Sequence, residues 1–146
     1  MASSVMILNG PNLDRLGTRE PAIYGTATFA DLVAFCTAEA LTLGCTADVR
    51  QSNDEAELIG WLHEAADANS PVIINPAAFT HYSYALRDAC ALVESPLIEV
   101  HLSNPAAREE FRQTSVISGV ADGVIAGFGF ESYRLALHAV ARMTKG

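Results

Sequence analysis

An α/β fold, a doubly wound five-stranded parallel sheet with helices on both faces, is predicted by three features of the sequence. Short apolar runs of strand length alternate with longer stretches that place apolar residues at helical spacing. This alternation is repeated along the chain, as βαβ units with right-handed crossovers require. There are no long linkers, internal repeats or low-complexity tracts, so residues 1–146 read as a single domain.

Each element has its own signal. Val5-Met6-Ile7-Leu8 reads as a buried first strand. Over residues 29–43, Phe29, Leu32, Val33, Phe35, Cys36, Ala40 and Leu43 fall at helical spacings, and Gly44 is a fitting stop. Thr46 to Arg50 is the second strand. Asp54 or a neighbour caps a helix carrying Leu58, Ile59, Trp61 and Leu62. Val72-Ile73-Ile74 is the third strand, after Pro71. Thr80 is a candidate N-cap for a helix over Tyr82 to Val93. Leu97 to Leu102 is the fourth strand, after Pro96. Ala106 to Arg112 is a short helix, with Pro105 suited to its first position. Gly123 to Ala126 is the fifth strand, and residues 131–143 form a last helix with Tyr133, Leu135, Leu137, Val140 and Met143. The number and order of these units point to a flavodoxin-like sandwich, whose ligands sit beyond the carboxyl ends of the strands.

Composition narrows the function. The net charge of −8 with no basic stripe disfavours nucleic acid or an acidic membrane surface. No apolar run approaches the roughly 20 residues that span a bilayer, and Met1-Ala2-Ser3-Ser4 lacks a basic leader, so a cytoplasmic protein is expected. Cys36, Cys45 and Cys90 form no Cys-x-x-Cys pair and read as buried thiols. His63, His81, His101 and His138 show no paired metal-ligand spacing, so no metal is expected. Lys145 is the only lysine and sits next to the terminus, where Schiff-base chemistry is poorly served. Arg15 and Arg19, and Arg108 and Arg112, place four of the nine cations in two short segments. They read either as ordinary surface arginines or as a site for a small anion.

Three loops carry chemistry. The first, after Leu8, runs from Asn9 to Gly25, which is long for a βα connection, and residues 17–25 read as a lid. Within it Arg19 and Tyr24 admit two readings. Tyr24 simply packs in a polar loop, or a nearby guanidinium favours the phenolate and makes it a base. The second loop, Asn75-Pro76-Ala77-Ala78-Phe79-Thr80-His81, offers amide and imidazole donors. The third follows Glu99-Val100-His101-Leu102-Ser103-Asn104-Pro105. Strand alternation places Glu99 and His101 on one face, where a carboxylate can orient an imidazole as a general acid needs. The amides near Leu102 and Ser103, ahead of a helix start, suit an anion. A satisfied buried histidine is the commoner reading of any lone His, but it weakens here because His101 falls at the strand end where a site should be.

Other classes fit less well. Asn9 to Asn12 lacks the hydroxyls of a flavin phosphate loop. The strand ends at Asn9 and Asn75 lack the acids of a receiver domain, and no Gly-x-Ser-x-Gly elbow surrounds Ser103. Gly127-Phe128-Gly129-Phe130 lies too near the end of the chain for a dinucleotide fingerprint.

Leu8-Asn9-Gly10-Pro11-Asn12-Leu13, Leu16-Gly17-Thr18-Arg19-Glu20-Pro21 and Tyr24-Gly25 resemble the signature of type II 3-dehydroquinate dehydratases. So do residues 75–81 and 99–105, and Ala107-Arg108-Glu109-Glu110-Phe111-Arg112, in the same order. The resemblance spans essentially the whole chain. It implies a hydro-lyase that converts 3-dehydroquinate to 3-dehydroshikimate by trans elimination through an enolate, without metal or cofactor, in aromatic biosynthesis or quinate breakdown. It implies Tyr24 as base, Arg19 as the lid residue that holds Tyr24 as phenolate, and His101 as acid supported by Glu99. Asn12 would settle the enolate. Asn75, His81 and Arg112 would hold substrate hydroxyls, and the Leu102 and Ser103 amides the carboxylate. Asp88 would act across a subunit contact, since the family forms trimers assembled into homododecamers. Ala77-Ala78 departs from the glycine-containing turn common in the family, and Phe79 adds bulk beside it.

Overall fold

The computed structural model describes residues 3–18 and 20–144, without the side chain of Tyr24. The five strands are β1 (Ser3–Asn9), β2 (Cys45–Gln51), β3 (Val72–Asn75), β4 (Leu97–His101) and β5 (Gly123–Ala126). They pair in parallel in the order β2-β1-β3-β4-β5, the flavodoxin-like order. Among the described residues five α-helices accompany them: α1 (Pro21–Tyr24), α2 (Phe29–Thr42), α3 (Glu55–Ala68), α4 (Tyr84–Cys90) and α5 (Glu131–Thr144).

The strands are buried on both faces because each face meets a helical layer. Val5, Ile7, Ile73, Ile98 and Val100 point to one side, where they pack with Leu32, Cys36 and Ala40 of α2 and Ala136, Leu137 and Val140 of α5. Met6, Leu8, Val72, Ile74 and Leu97 alternate to the other side, against Leu58, Leu62 and Ala65 of α3 and Leu86 and Ala89 of α4. Each fully buried leucine or isoleucine contributes roughly 1.5–3 kcal/mol by leaving water. The three cysteines are free and buried. Burial pushes the Cys36 and Cys90 thiols up to about 12, with Glu39 and Glu99 respectively adding to it, so both are inert at neutral pH.

Helix starts follow local chemistry. Thr28 and Asp31 form a reciprocal capping box at the head of α2, and the Asp54 side chain accepts from the Ala56 amide at the head of α3. Two expectations are corrected. Thr80 is not the cap of the fourth helix. Ser83 is, accepting from Leu86 N, so α4 begins at Tyr84 and ends at Cys90. Residues 106–112 are not one helix either. They form two 3-10 turns, Pro105–Ala107 and Glu110–Gln113, broken where Arg108 adopts an extended backbone.

The chain leaves β1 toward β2 and returns to β3 on β1's other side. A crevice therefore opens where Asn9 and Asn75, paired in register, end their strands. Gly10 follows Asn9 and donates its N–H to Asn75 O at 2.8 Å. A Cβ there would lie 2.5 Å from Pro76 O and 2.9 Å from its carbonyl carbon, both rigid backbone atoms. Gly10→Ala is expected to lower stability by about 1–3 kcal/mol, read as a fall in the urea midpoint at unchanged slope. An unchanged midpoint would show that the two loops are not in contact.

Candidate active site

The crevice beyond β1, β3 and β4 holds a cleft of about 400 Å³, open mouth included, lined by Leu13, Asn75, Ala77, Ala78, His81 and His101 and by Leu102, Ser103, Pro105, Arg108 and Arg112. Three loops far apart in sequence meet there. Two imidazoles and two guanidiniums face one small space in an otherwise acidic protein, an arrangement suited to an oxygen-rich anion.

At the end of β4, His101 Nε2 lies 2.5 Å from Glu99 Oε2. Strand alternation places them together, and Glu99 has no exposed surface. Its carboxylate also accepts from Thr80 Oγ1 (2.6 Å) and Ser118 Oγ (2.6 Å), and Ser115 Oγ lies 3.1 Å from it. Burial raises the Glu99 pKa, but it is outweighed by the hydrogen bond and charge of His101 and the hydroxyls of Ser118 and Thr80. Together these hold the carboxyl below its ordinary range.

The second histidine is also oriented. His81 Nδ1 is 2.8 Å from Thr114 O. A carbonyl only accepts, so Nδ1 carries the proton and Nε2 is left as an acceptor while the ring is neutral. Phe111 meets His81 edge-on at 5.6 Å and also lies beneath the Arg112 guanidinium, 4.6 Å from its centre. Arg112 Nε donates to Glu109 at 3.0 Å, which splints the arginine along the cleft wall.

The floor is a buried polar cluster. Tyr133 of α5, fully buried, donates its hydroxyl to Asn9 Oδ1 at 2.6 Å and accepts from Asn75 Nδ2 at 2.9 Å. Burial drives the Tyr133 phenol well above its ordinary pKa, so it stays protonated. Asn75 Oδ1 accepts from Ala77 N at 3.1 Å. Its side-chain carbonyl is thus committed to the loop and one amide hydrogen to α5. Ala77 sits at φ +53°, in the left-handed region where glycine is preferred. The departure of Ala77-Ala78 from the family turn falls on a backbone that glycine would suit.

Of the expected site residues, the fold brings Asn75, His81, His101, Leu102, Ser103 and Arg112 around the cleft, with Glu99 directly behind His101. Asn12 lies on the loop after β1 at φ +70°, its amide donating to Asn53 Oδ1, and does not line the cleft. Asp88 is exposed on α4 and does not line it either. Arg19 and the Tyr24 side chain lie outside the described residues. Sequence reasoning missed Arg108 as a lining residue and Thr80, Ser115 and Ser118 as partners of Glu99. Arg108 shared a segment with Arg112, but nothing in the sequence links the hydroxyls to Glu99. Among the described residues no group of His, Cys, Asp and Glu is placed to hold a metal, and no helix is long and apolar enough to cross a membrane.

The family model described as dehydroquinase class II matches residues 3–141. The chain belongs to this family. The 3-dehydroquinate dehydratase of Salinispora tropica is 61% identical over 137 residues, covering 94% of this chain and 96% of that one. That of Sinorhizobium medicae is 53% identical over 145 residues, covering 99% and 98%. The crystal structure of the type II dehydroquinase from Propionibacterium acnes superposes with a TM-score of 0.95 at 51% identity, covering 97% and 98%. The class II dehydroquinase fold is thus present over nearly the whole chain.

Two outcomes are expected. Ala77→Gly relieves a left-handed alanine at the cost of a freer unfolded chain, and is expected to leave stability unchanged or raise it by up to about 1 kcal/mol. A clear fall in the melting temperature would contradict the strained turn. The Glu99 pKa is lower folded than unfolded, so its contribution is present above the ordinary carboxylate range and is lost as pH falls through the folded value. The stability gap between wild type and Glu99→Gln is therefore expected to narrow on acidification from pH 7, measured by urea unfolding. A gap that does not change with pH would show that Glu99 is not an ionised, stabilised carboxylate.

Proposed function

We propose that this protein dehydrates 3-dehydroquinate to 3-dehydroshikimate by trans elimination through an enolate. The observation that carries the reading is the His101–Glu99 pair at the head of a cationic cleft, in a chain of the class II dehydroquinase family. The ketone beside C2 acidifies its hydrogen, and Tyr24 as phenolate removes that proton. The electron pair moves onto the carbonyl oxygen, giving an enolate that Asn12 helps settle through a water. Re-forming the ketone drives the pair into a C1–C2 double bond and breaks the C1–O bond. His101 gives its proton to the departing hydroxyl, which leaves as water, and Glu99 stabilises the imidazolium before transfer. The chemistry calls for no metal, no redox step and no imine, so no cofactor is assigned.

Arg19, on a lid over residues 17–25, lowers the Tyr24 pKa by its charge. Asn75, His81 and Arg112 hold substrate hydroxyls, and the Leu102 and Ser103 amides receive the carboxylate. Asp88 is exposed and does not line its own cleft, which suits a role at the cleft of a neighbouring copy in a trimer, four of which form a dodecamer. The same reaction serves aromatic biosynthesis and quinate breakdown, and a cytoplasmic location suits both.

Incubation with 3-dehydroquinate is expected to produce the ultraviolet absorbance of a conjugated enone. Tyr24→Phe is expected to lower kcat by at least about a hundredfold while substrate still binds. A wild-type protein that forms no enone would remove the reaction, and a Tyr24→Phe variant that turns over normally would remove Tyr24 as base.

A further inference from the structure

The hydroxyls around Glu99 have a direction that geometry assigns. Ser115 Oγ accepts two backbone N–H groups, from Ile117 at 3.1 Å and Ser118 at 3.0 Å. A hydroxyl has two acceptor lone pairs and one proton, so Ser115 is saturated as an acceptor and can only donate. Its shortest contact is Thr80 Oγ1 at 2.6 Å, with Glu99 at 3.1 and 3.2 Å. Thr80 cannot donate back to Ser115, so its own proton goes to Glu99 Oε2 at 2.6 Å. Ser118 Oγ donates to Oε1 at 2.6 Å. Glu99 thus meets donors on both oxygens, and its remaining close neighbour is His101 Nε2 at 2.5 Å.

We propose that Ser115 and Thr80 form a one-way hydrogen-bond chain, joined by Ser118, that keeps Glu99 an obligate acceptor and so fixes the proton of His101 on Nε2, leaving Nδ1 as the nitrogen that serves the cleft. All three hydroxyls are positioning residues, since none of them needs to touch substrate. The inference rests on the reading of His101 as the acid of the dehydration. It explains why the strand end carries a carboxylate and not an amide: Gln would present hydrogens to a ring of donors. It also ties the acid to residues from two other segments, the 3-10 turn Ala77–His81 and the loop over residues 114–118.

The test is the ¹⁵N spectrum of the histidine rings in free, folded wild-type protein at a pH where His101 is neutral, with His101→Asn identifying its signals. The expected result is a protonated Nε2 and an unprotonated Nδ1. The opposite tautomer overturns the proposal outright. In Thr80→Val the Nε2–H population is expected to fall, and kcat to drop about tenfold with KM unchanged, part of the acid's full contribution. Thr80→Ser, which restores the donor, is expected to recover both. An unchanged tautomer in a folded Thr80→Val, or an effect confined to KM, overturns the chain. If wild type does not act on 3-dehydroquinate, the function reading falls while the tautomer measurement still decides the chain.

Discussion

A buried negative charge organises this end of the molecule. Removing a carboxylate from water costs several kcal/mol unless donors replace the lost hydration. Glu99 has no exposure and is met by the hydroxyls of Thr80 and Ser118 and an imidazole, with Ser115 behind Thr80. Those donors come from β4, from the turn after β3 and from the loop ahead of β5, so solvating one carboxylate pins three segments together. The loop is pinned further by Val116 N donating to Thr80 O at 2.7 Å and by Arg87 Nη1 donating to Val116 O at 2.7 Å. Its path in turn presents the Thr114 carbonyl that orients His81. Electrostatics at Glu99 thereby reaches both imidazoles of the cleft.

The second constraint is the Asn9–Tyr133–Asn75 cluster. It ties the ends of β1 and β3 to α5 at the point where the sheet's connections diverge. Polar groups this deep must be paired, and here they pair with one another and with the backbone, through Asn9 Nδ2 to Arg50 O and Ala77 N to Asn75 Oδ1. Gly10 lets the loops above them approach closely. The floor and the His101 side of the cleft are therefore built from paired, packed groups.

Much of this was legible in the sequence, because secondary structure and strand-end chemistry are local. Two-residue alternation placed Glu99 and His101 on one face, and the strand ends at Asn9, Asn75 and His101 marked the loops of the cleft. Cap chemistry was less legible. Thr80 and Ser83 are both plausible caps by type, and only the proximity of Glu99 drew Thr80 away and left Ser83 to start α4. Arg108 and Arg112 looked alike in sequence. The extended backbone at Arg108, which splits the expected helix into two turns, leaves both on the wall of the cleft.

The sequence by itself determined the order of elements, the parallel sheet and the chemical types gathered at its carboxyl edge, since these follow from periodicity and from residues one or two positions apart. Only the tertiary structure decided which groups serve those residues. Tyr133 is 124 positions from the Asn9 it bonds, and Ser118 is 19 from the Glu99 it solvates. Serine, threonine and tyrosine hydroxyls occur throughout any chain and carry no periodic mark. Their roles arise when a buried charge or amide without water must find donors, and that demand exists only once the sheet has closed around it.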